Sequence, residues 1–359
     1  MSKVKVSVIV PFWNVEEFFP QFLDSVLHQT LTEIELILVD DRSTDGSFEI
    51  AGSYRRKDPR IILLQNPVHS GSGGMGRQRG MEAASGDYIV FWDADDRVEP
   101  DTLETLYRSA EENSADVVTF GYDQFFRDRI ISREGDGWAQ TSAPGKDTLV
   151  NFYLPADRSL PFCQPMLCNK FIRRSLIAAH RIRHPEGLVR MQELPFAVRC
   201  IIHAEKVVYC PRIFYHWRLN NPNSITKSRN IPLLLTVFTT IFTTMDFIRE
   251  AGCMTEPVLR SAYTRLWQSV QMTLVSSDSY GRKSFLHQYS RAAKDFLLKY
   301  DPEFFEKKHY PTTLIQAWFD WLEVIDRGLT GRYLVFLYRL MKCKYLKFSL
   351  RDLLRGRKK

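Results

Sequence analysis

Over the first 120 residues, short apolar runs alternate with amphipathic stretches. Residues 4–10 (VKVSVIV) form the first apolar run, closed by Pro11 and Asn14, and predict a buried strand. Residues 15–29 place Phe18, Phe22, Leu23, Val26 and Leu27 on one helical face. Residues 34–39 (IELILV) predict a second buried strand that stops at Asp40-Asp41. The turn Ser43-Thr44-Asp45-Gly46 starts a helix running to about Lys57, and residues 61–65 (IILLQ) predict a third strand. A glycine-rich loop at 70–76 leads into a short helix ending near Ala84. Residues 87–92 (DYIVFW) predict a fourth strand ending at Asp93, residues 100–113 a helix, and residues 116–120 a fifth strand.

This alternation predicts an α/β fold with a mainly parallel sheet covered by helices on both faces. Ligands of such sheets bind beyond the carboxyl ends of the strands. Pro11, Asp40-Asp41, the glycine loop and Asp93-Asp95 all fall at those ends, so one ligand site is expected there. Residues 121–229 are mixed, with Pro-rich and aromatic loops, and residues 232–327 read as helical, for example the amphipathic stretch 258–275. Three parts are expected: a nucleotide-binding domain over 1–229, a helical region over 230–331 and a basic tail over 332–359. The uncharged stretch Ile231 to Met245 falls short of the roughly 20 apolar residues a membrane helix needs, so a buried or groove-lining helix is expected instead.

Composition excludes several classes. Hydrophobic content of 44% with 25% charged residues argues against disorder. The six cysteines (163, 168, 200, 210, 253, 343) form no CxxC pair and no His/Cys cluster, which argues against zinc and a disulfide framework and suits a reducing cytoplasm. The opening MSKVKVSVIVPF does not read as a signal peptide. The net charge of +7 is uneven: residues 332–359 hold ten Lys/Arg and one acid, so the tail is +9 and the rest −2. Basic residues there interleave with Leu, Phe and Tyr, a pattern suited to an anionic membrane surface. A solvated terminal helix or a nucleic-acid tail is the plainer alternative; no nucleic-acid partner is expected.

Four clusters carry candidate chemistry. Asp93-Ala94-Asp95-Asp96 packs three carboxylates into four residues; their repulsion calls for a cation, and Mg²⁺ or Mn²⁺ suits hard oxygen ligands. Capping of the helix that follows is the alternative, more so for Asp96 than for Asp95. Asp40 and Asp41 suit acceptance of hydrogen bonds from a nucleobase or ribose, with Asp40 favoured and Asp41 equally explained by turn chemistry. In the loop Gly71–Arg79, backbone N–H groups with Arg77 and Arg79 suit phosphates, unless the arginines lie on the surface. The loop follows the third strand, whereas a dinucleotide fingerprint follows the first, so a nicotinamide dehydrogenase has little support. Glu193, in the apolar setting MQELPF, is either a general base or an ordinary helix-start acid.

Together these segments resemble glycosyltransferase family 2, whose members have the GT-A fold. VSVIVPFWNVEEFFPQFLDSVLHQT resembles its opening strand and helix, ELILVDDRSTDGS its nucleotide-binding turn, and GMGRQRGMEAASGDYIVFWDADD its arginine helix and acidic strand end. CNKFIRRSLI, HPEGLVRMQELPF and FYHWRLNNPNSIT resemble later, looser segments, so the likeness covers about 4–226. The resemblance implies that Pro11, Asp40 and Asp41 hold the nucleoside, Arg77 lies near the diphosphate, Asp93 faces ribose or sugar, Asp95 holds Mn²⁺ or Mg²⁺, and Glu193 is the base. Three departures stand out. Gln192-Glu193 replaces the usual Glu-Asp, Gly76 and Gln78 replace Ala and Asn around Arg77, and the processive Q-x-x-R-W signature is absent, which implies one sugar per encounter. The implied activity is inverting transfer from a nucleotide-sugar, expected to be a UDP-sugar. The acceptor would be a glycan or lipid-linked molecule in cell-surface polysaccharide synthesis, at the cytoplasmic face of the membrane. A protein or soluble glycan is a second acceptor class, and a non-catalytic nucleotide-binding partner is the alternative to an enzyme.

Overall fold

The computed structural model describes residues 3–127, 129–131, 150–152, 166–222, 224, 231–254, 295 and 299–300. In chain order the elements are β1 (Val6–Phe12), α1 (Phe19–Leu27), β2 (Ile34–Asp40), α2 (Ser47–Lys57), β3 (Ile61–Gln65), α3 (Gly73–Ala83), β4 (Tyr88–Phe91), β5 (Arg97–Val98) and α4 (Thr102–Glu112). There follow β6 (Val117–Phe126), β7 (Arg129–Ile130), β8 (Val150–Phe152), β9 (Lys170–Arg173), α5 (Arg174–Ala179), α6 (Glu193–His203), β10 (Val207–Arg218) and α7 (Ile231–Glu250).

Among the described residues the strands form one sheet in the order β3-β2-β1-β4-β9-β6-β10-β5, with β7 on β6 and β8 on β10. The first four strands pair in parallel, as the strand–helix alternation predicts. Beyond β4 the pattern turns mixed: β9 runs antiparallel to both β4 and β6, while β6 and β10 pair in parallel. The early apolar runs carry almost no polar positions because both sheet faces are covered. Val6, Val8, Val10, Leu36, Leu38 and Val90 enter one core cluster. Ile9, Ile37, Val39, Ile89 and Phe91 enter the other. Successive side chains of a strand point to opposite faces, so an all-apolar strand feeds both layers.

Helix α3 lies unusually close to β1. A Cβ on Gly80 would sit 2.3 Å from Ile9 Cγ2, and one on Gly76 would sit 2.8 Å from Pro11 Cβ. Glycine at 76 is therefore a packing requirement that brings the next residue, Arg77, against the strand ends. Glu35, within an otherwise apolar run of β2, accepts hydrogen bonds from Ser7 Oγ (2.6 Å) and the Ser85 N–H (2.6 Å), which ties β1 and β2 to the turn before β4.

The described cysteines 168, 200, 210 and 253 are buried. The stretch 231–245 lies within α7, and no helix among the described residues is long and apolar enough to cross a membrane. By compactness the chain divides into two units, residues 1–227 with 243–254, and residues 228–242 with 255–359. The amphipathic stretch 258–275 and the basic tail 332–359 lie outside the described residues.

Candidate active site

A cavity of about 410 Å³ opens at the carboxyl ends of the parallel strands. Its wall includes Pro11, Asp41, Arg77, Asp93, Asp95 and Glu193, six of the seven residues to which the family resemblance assigns a role. Asp40, the seventh, is fully buried behind the wall. It accepts from the Ser43 N–H at 3.0 Å and Gln65 Nε2 at 2.8 Å, closing the turn after β2.

Asp41 sits among neutral donors. Its carboxylate accepts from Asn66 Nδ2 (2.7 Å), the Ser70 N–H (3.0 Å) and the Gly71 N–H (3.2 Å). His69 Nδ1 stands 3.0 Å from it, and the His69 ring lies 4.8 Å from that of Trp13. Gly71, at φ +69°, supplies the left-handed turn that brings two consecutive N–H groups onto this carboxylate.

The other acidic strand end is held by residues distant in sequence. Arg77, buried on α3, donates from Nη2 to Asp93 Oδ1 at 2.7 Å and lies 3.2 Å from Glu193 Oε1. Its Nε and Nη1 have no hydrogen-bond partner among the described residues, and Nη1 fills the space beside Gly73 that a Cβ would occupy at 2.6 Å. Burial works against its charge, but Glu193 and Asp93 outweigh it and the guanidinium pKa is raised. Asp93 N–H donates to the Tyr215 hydroxyl at 3.1 Å, and that hydroxyl donates in turn to Asp96 Oδ2. Asp96 also accepts from the Arg218 N–H at 2.6 Å, so its oxygens are already engaged away from a ligand. Asp95 accepts from Asn221 Nδ2 at 2.6 Å. Its pKa is pushed up to about 6, by burial first and by the Asp93 charge second. Asp96 is raised well above its ordinary value, by burial and then by Asp95 and Asp93.

Glu193 begins α6 and accepts from the Leu167 N–H at 3.1 Å. Met191, two residues before it, adopts φ +53°, a conformation that costs a non-glycine residue on the order of 1 kcal/mol or more. That bend turns Gln192 and Glu193 together into the cavity wall. Burial raises the Glu193 pKa, with Asp93 adding to it, against the lowering effect of Arg77 and the Leu167 N–H.

Glu193, Asp93, Asp95 and Arg77 are gathered on one cavity wall. Residues 7–175 match the family described as Glycosyl transferase family 2. This region of the chain, residues 7–175, carries the likeness to glycosyl transferase family 2. Over 222 residues it is 32% identical to a cholesterol galactosyltransferase of Borreliella burgdorferi, which covers 60% of this chain and 60% of that protein. The chain thus spans about 60% of the length of curated relatives it matches. The Staphylococcus aureus TarS 1–349 structure in complex with UDP-GlcNAc superposes with a TM-score of 0.66 at 20% identity, covering 82% of this chain and 81% of that one. The mannosyltransferase PcManGT of Pyrobaculum calidifontis, in complex with GDP-Man and Mn²⁺, superposes with a TM-score of 0.52 at 15% identity, covering 90% and 87%. At those identities the two structures show a shared fold, the GT-A fold expected from the sequence.

At this site the residues missed from the sequence are Tyr215, Arg218 and Asn221. Arg218 donates from Nε to the Asp95 carbonyl at 2.5 Å and lies over the Phe18 and Phe125 rings at 4.4 and 4.5 Å. These three belong to the segment FYHWRLNNPNSIT, whose likeness to the family was legible while the role of each side chain was not. Trp13 and Gln192, also on the wall, lie beside residues that were singled out. The carboxylates suit a divalent cation in part. Asp93 and Asp95 face the cavity, whereas Asp96 is spoken for, and no group of three or more His, Cys, Asp or Glu suited to an ion occurs among the described residues. Mg²⁺ and Mn²⁺ sites of this kind use one or two carboxylates, with water and phosphate completing the shell.

Proposed function

We propose that this protein is an inverting glycosyltransferase that moves one sugar per encounter from a nucleotide-sugar, a UDP-sugar by preference, to a glycan or lipid-linked acceptor of the cell surface. The observation that carries this reading is the placement of Glu193 and Asp95 on one cavity wall, joined through Arg77 and Asp93. The nucleoside would lie at the Pro11 and Asp41 end, against Trp13, with Asp40 holding the turn that presents Asp41. The Nε and Nη1 of Arg77, unpartnered among the described residues, are donors that diphosphate oxygens would satisfy, which a buried guanidinium needs.

Glu193 then takes the proton of the acceptor hydroxyl as its oxygen bonds to the anomeric carbon. The bond from that carbon to the diphosphate oxygen breaks, the electron pair leaves with the nucleoside diphosphate, and configuration inverts. Arg77 stabilises the departing charge. A Mn²⁺ or Mg²⁺ ion held by Asp95, with Asp93 beside it, would supply further charge stabilisation when bound. The test is transfer of labelled sugar by Glu193→Gln and Asp95→Ala variants: near-normal transfer by either removes the assignment.

The contact of Glu193 with Arg77 favours one other reading, a nucleotide-binding partner whose base is tied down as an ion pair. Metal-dependent hydrolysis or transfer of UDP-sugars by the purified protein separates the two. A peripheral location on the inner membrane face, through residues 332–359, belongs to the same reading. Equal flotation with liposomes by the full chain and a chain lacking 332–359 would remove it.

A further inference from the structure

His216 of β10 stands between two carboxylates. Its Nδ1 lies 2.7 Å from Asp123 Oδ1 of β6, and its Nε2 lies 2.8 Å from Glu99 Oε1, in the segment between β5 and α4. A carboxylate only accepts, and a neutral imidazole has one N–H. Both contacts are hydrogen bonds only when the ring carries both protons. The ring is largely buried, as is Asp123, and Glu99 is partly exposed. On β5 the charged group facing it is Arg97, opposite in register, whose guanidinium lies over the Phe125 ring at 4.4 Å.

This clamp sits in the strand that holds the acidic loop. Tyr215, one residue before, contacts both Asp93 and Asp96, and Arg218, two residues after, contacts Asp95 and Asp96. The bonded partners of His216 lie on β6 and on the chain that leaves the acidic loop, so the ring ties β10 to both. Cys210, Ile213 and Tyr215 mark register shifts in the β10–β6 pairing. From Tyr215 to Arg218 the pairing is regular again, and the clamp adds a side-chain tie between His216 and its register partner Asp123 just beyond the irregular stretch.

We propose that His216 is a positioning residue that, as an imidazolium bridging Asp123 and Glu99, holds β10 so that Tyr215, Arg218 and the 93–96 loop keep their geometry. The inference rests on the catalytic reading above for its consequence, though not for the charge state of the ring. Burial alone would lower the His216 pKa; the hydrogen bonds and charges of Asp123 and Glu99 outweigh it and raise it. The clamp is therefore complete below that raised pKa and is lost as pH rises through it.

The charge state is tested on the full chain by NMR of ¹⁵N-labelled histidine, with the His216 signals assigned by their absence in His216→Gln. Both ring nitrogens protonated at neutral pH is the expected result; a single proton there overturns the proposal whether or not the protein transfers sugar. The positioning role is tested by the thermal shift that UDP with Mn²⁺ produces, followed against pH alongside nucleotide-sugar turnover. In the wild type both are expected to fall on the alkaline side. In Glu99→Gln that fall moves to lower pH, because one of the two carboxylates supporting the charge is gone. In His216→Gln the apparent Mn²⁺ affinity drops by about tenfold or more, the usual scale for outer partners of a metal site. An unchanged alkaline fall in Glu99→Gln overturns the role, even where His216→Gln proves too unstable to measure.

Discussion

The two acidic strand ends look alike in sequence and are built differently. At the end of β2, the carboxylates of Asp40 and Asp41 are met by local neutral donors: Ser43, Gln65, Asn66, Ser70 and Gly71, all within about thirty residues. Beyond β4, Asp93, Asp95 and Asp96 crowd one another and are met by Arg77, Tyr215, Arg218 and Asn221, three of them more than a hundred residues away. The first end is a cradle, satisfied as it stands. The second crowds three carboxylates together, and burial first, then their mutual repulsion, raises the pKa of Asp95 and Asp96. A satisfied carboxylate shapes a pocket; a crowded one is poised for a cation.

The contrast breaks most sharply at Glu193, which reaches the crowded end through Arg77. Glu193→Gln is expected to lower transfer by about 10²–10⁴-fold, the range for a lost general base, with circular dichroism unchanged. Asp95→Asn follows, with a loss of about a hundredfold or more in turnover and no response to added Mn²⁺, since a bound cation contributes several kcal/mol of charge stabilisation. At the satisfied end the effect should appear in stability instead. Asp41→Asn leaves one or two N–H donors poorly met and should cost about 1–3 kcal/mol in denaturant unfolding. If Asp41→Asn cost turnover as much as Asp95→Asn at unchanged stability, the distinction between the two ends would be wrong.

The smallest effect is in pH. As the proposed base, Glu193 acts only when ionised, so kcat/KM should fall as pH drops through its raised pKa. Asp93→Asn removes one of the charges that raises it, so the acid limb should move to lower pH. A limb that stayed in place would show that Asp93 does not act on Glu193.

Local patterning made the first half of the fold legible: β1 to β4 and the helices between them follow apolar runs and turn residues whose meaning is settled within a few neighbours. The same rules favoured Asp40 for binding and explained Asp41 equally well as a turn residue. Both stand at a strand end, and only the path of the chain after Asp40 buries one and turns the other to the cavity. Glu193 was visible as an acid in an apolar setting, but its bend at Met191 was not, because no glycine marks the positive φ. Tyr215, Arg218, Asn221 and His216 gave less still: polar residues in an aromatic strand have no role until their partners are known.

By itself the amino-acid order determined where strands stop, that carboxylates and glycines gather at those stops, and that a fold of the GT-A kind results. Folding decided which carboxylate faces the cavity, that Arg77 joins Asp93 to Glu193, and that β10 returns to brace the acidic loop. The reason is range: hydrophobic periodicity and turn chemistry act over a few residues, whereas burial, charge pairing and the protonation of buried groups depend on neighbours that only the packed sheet brings together.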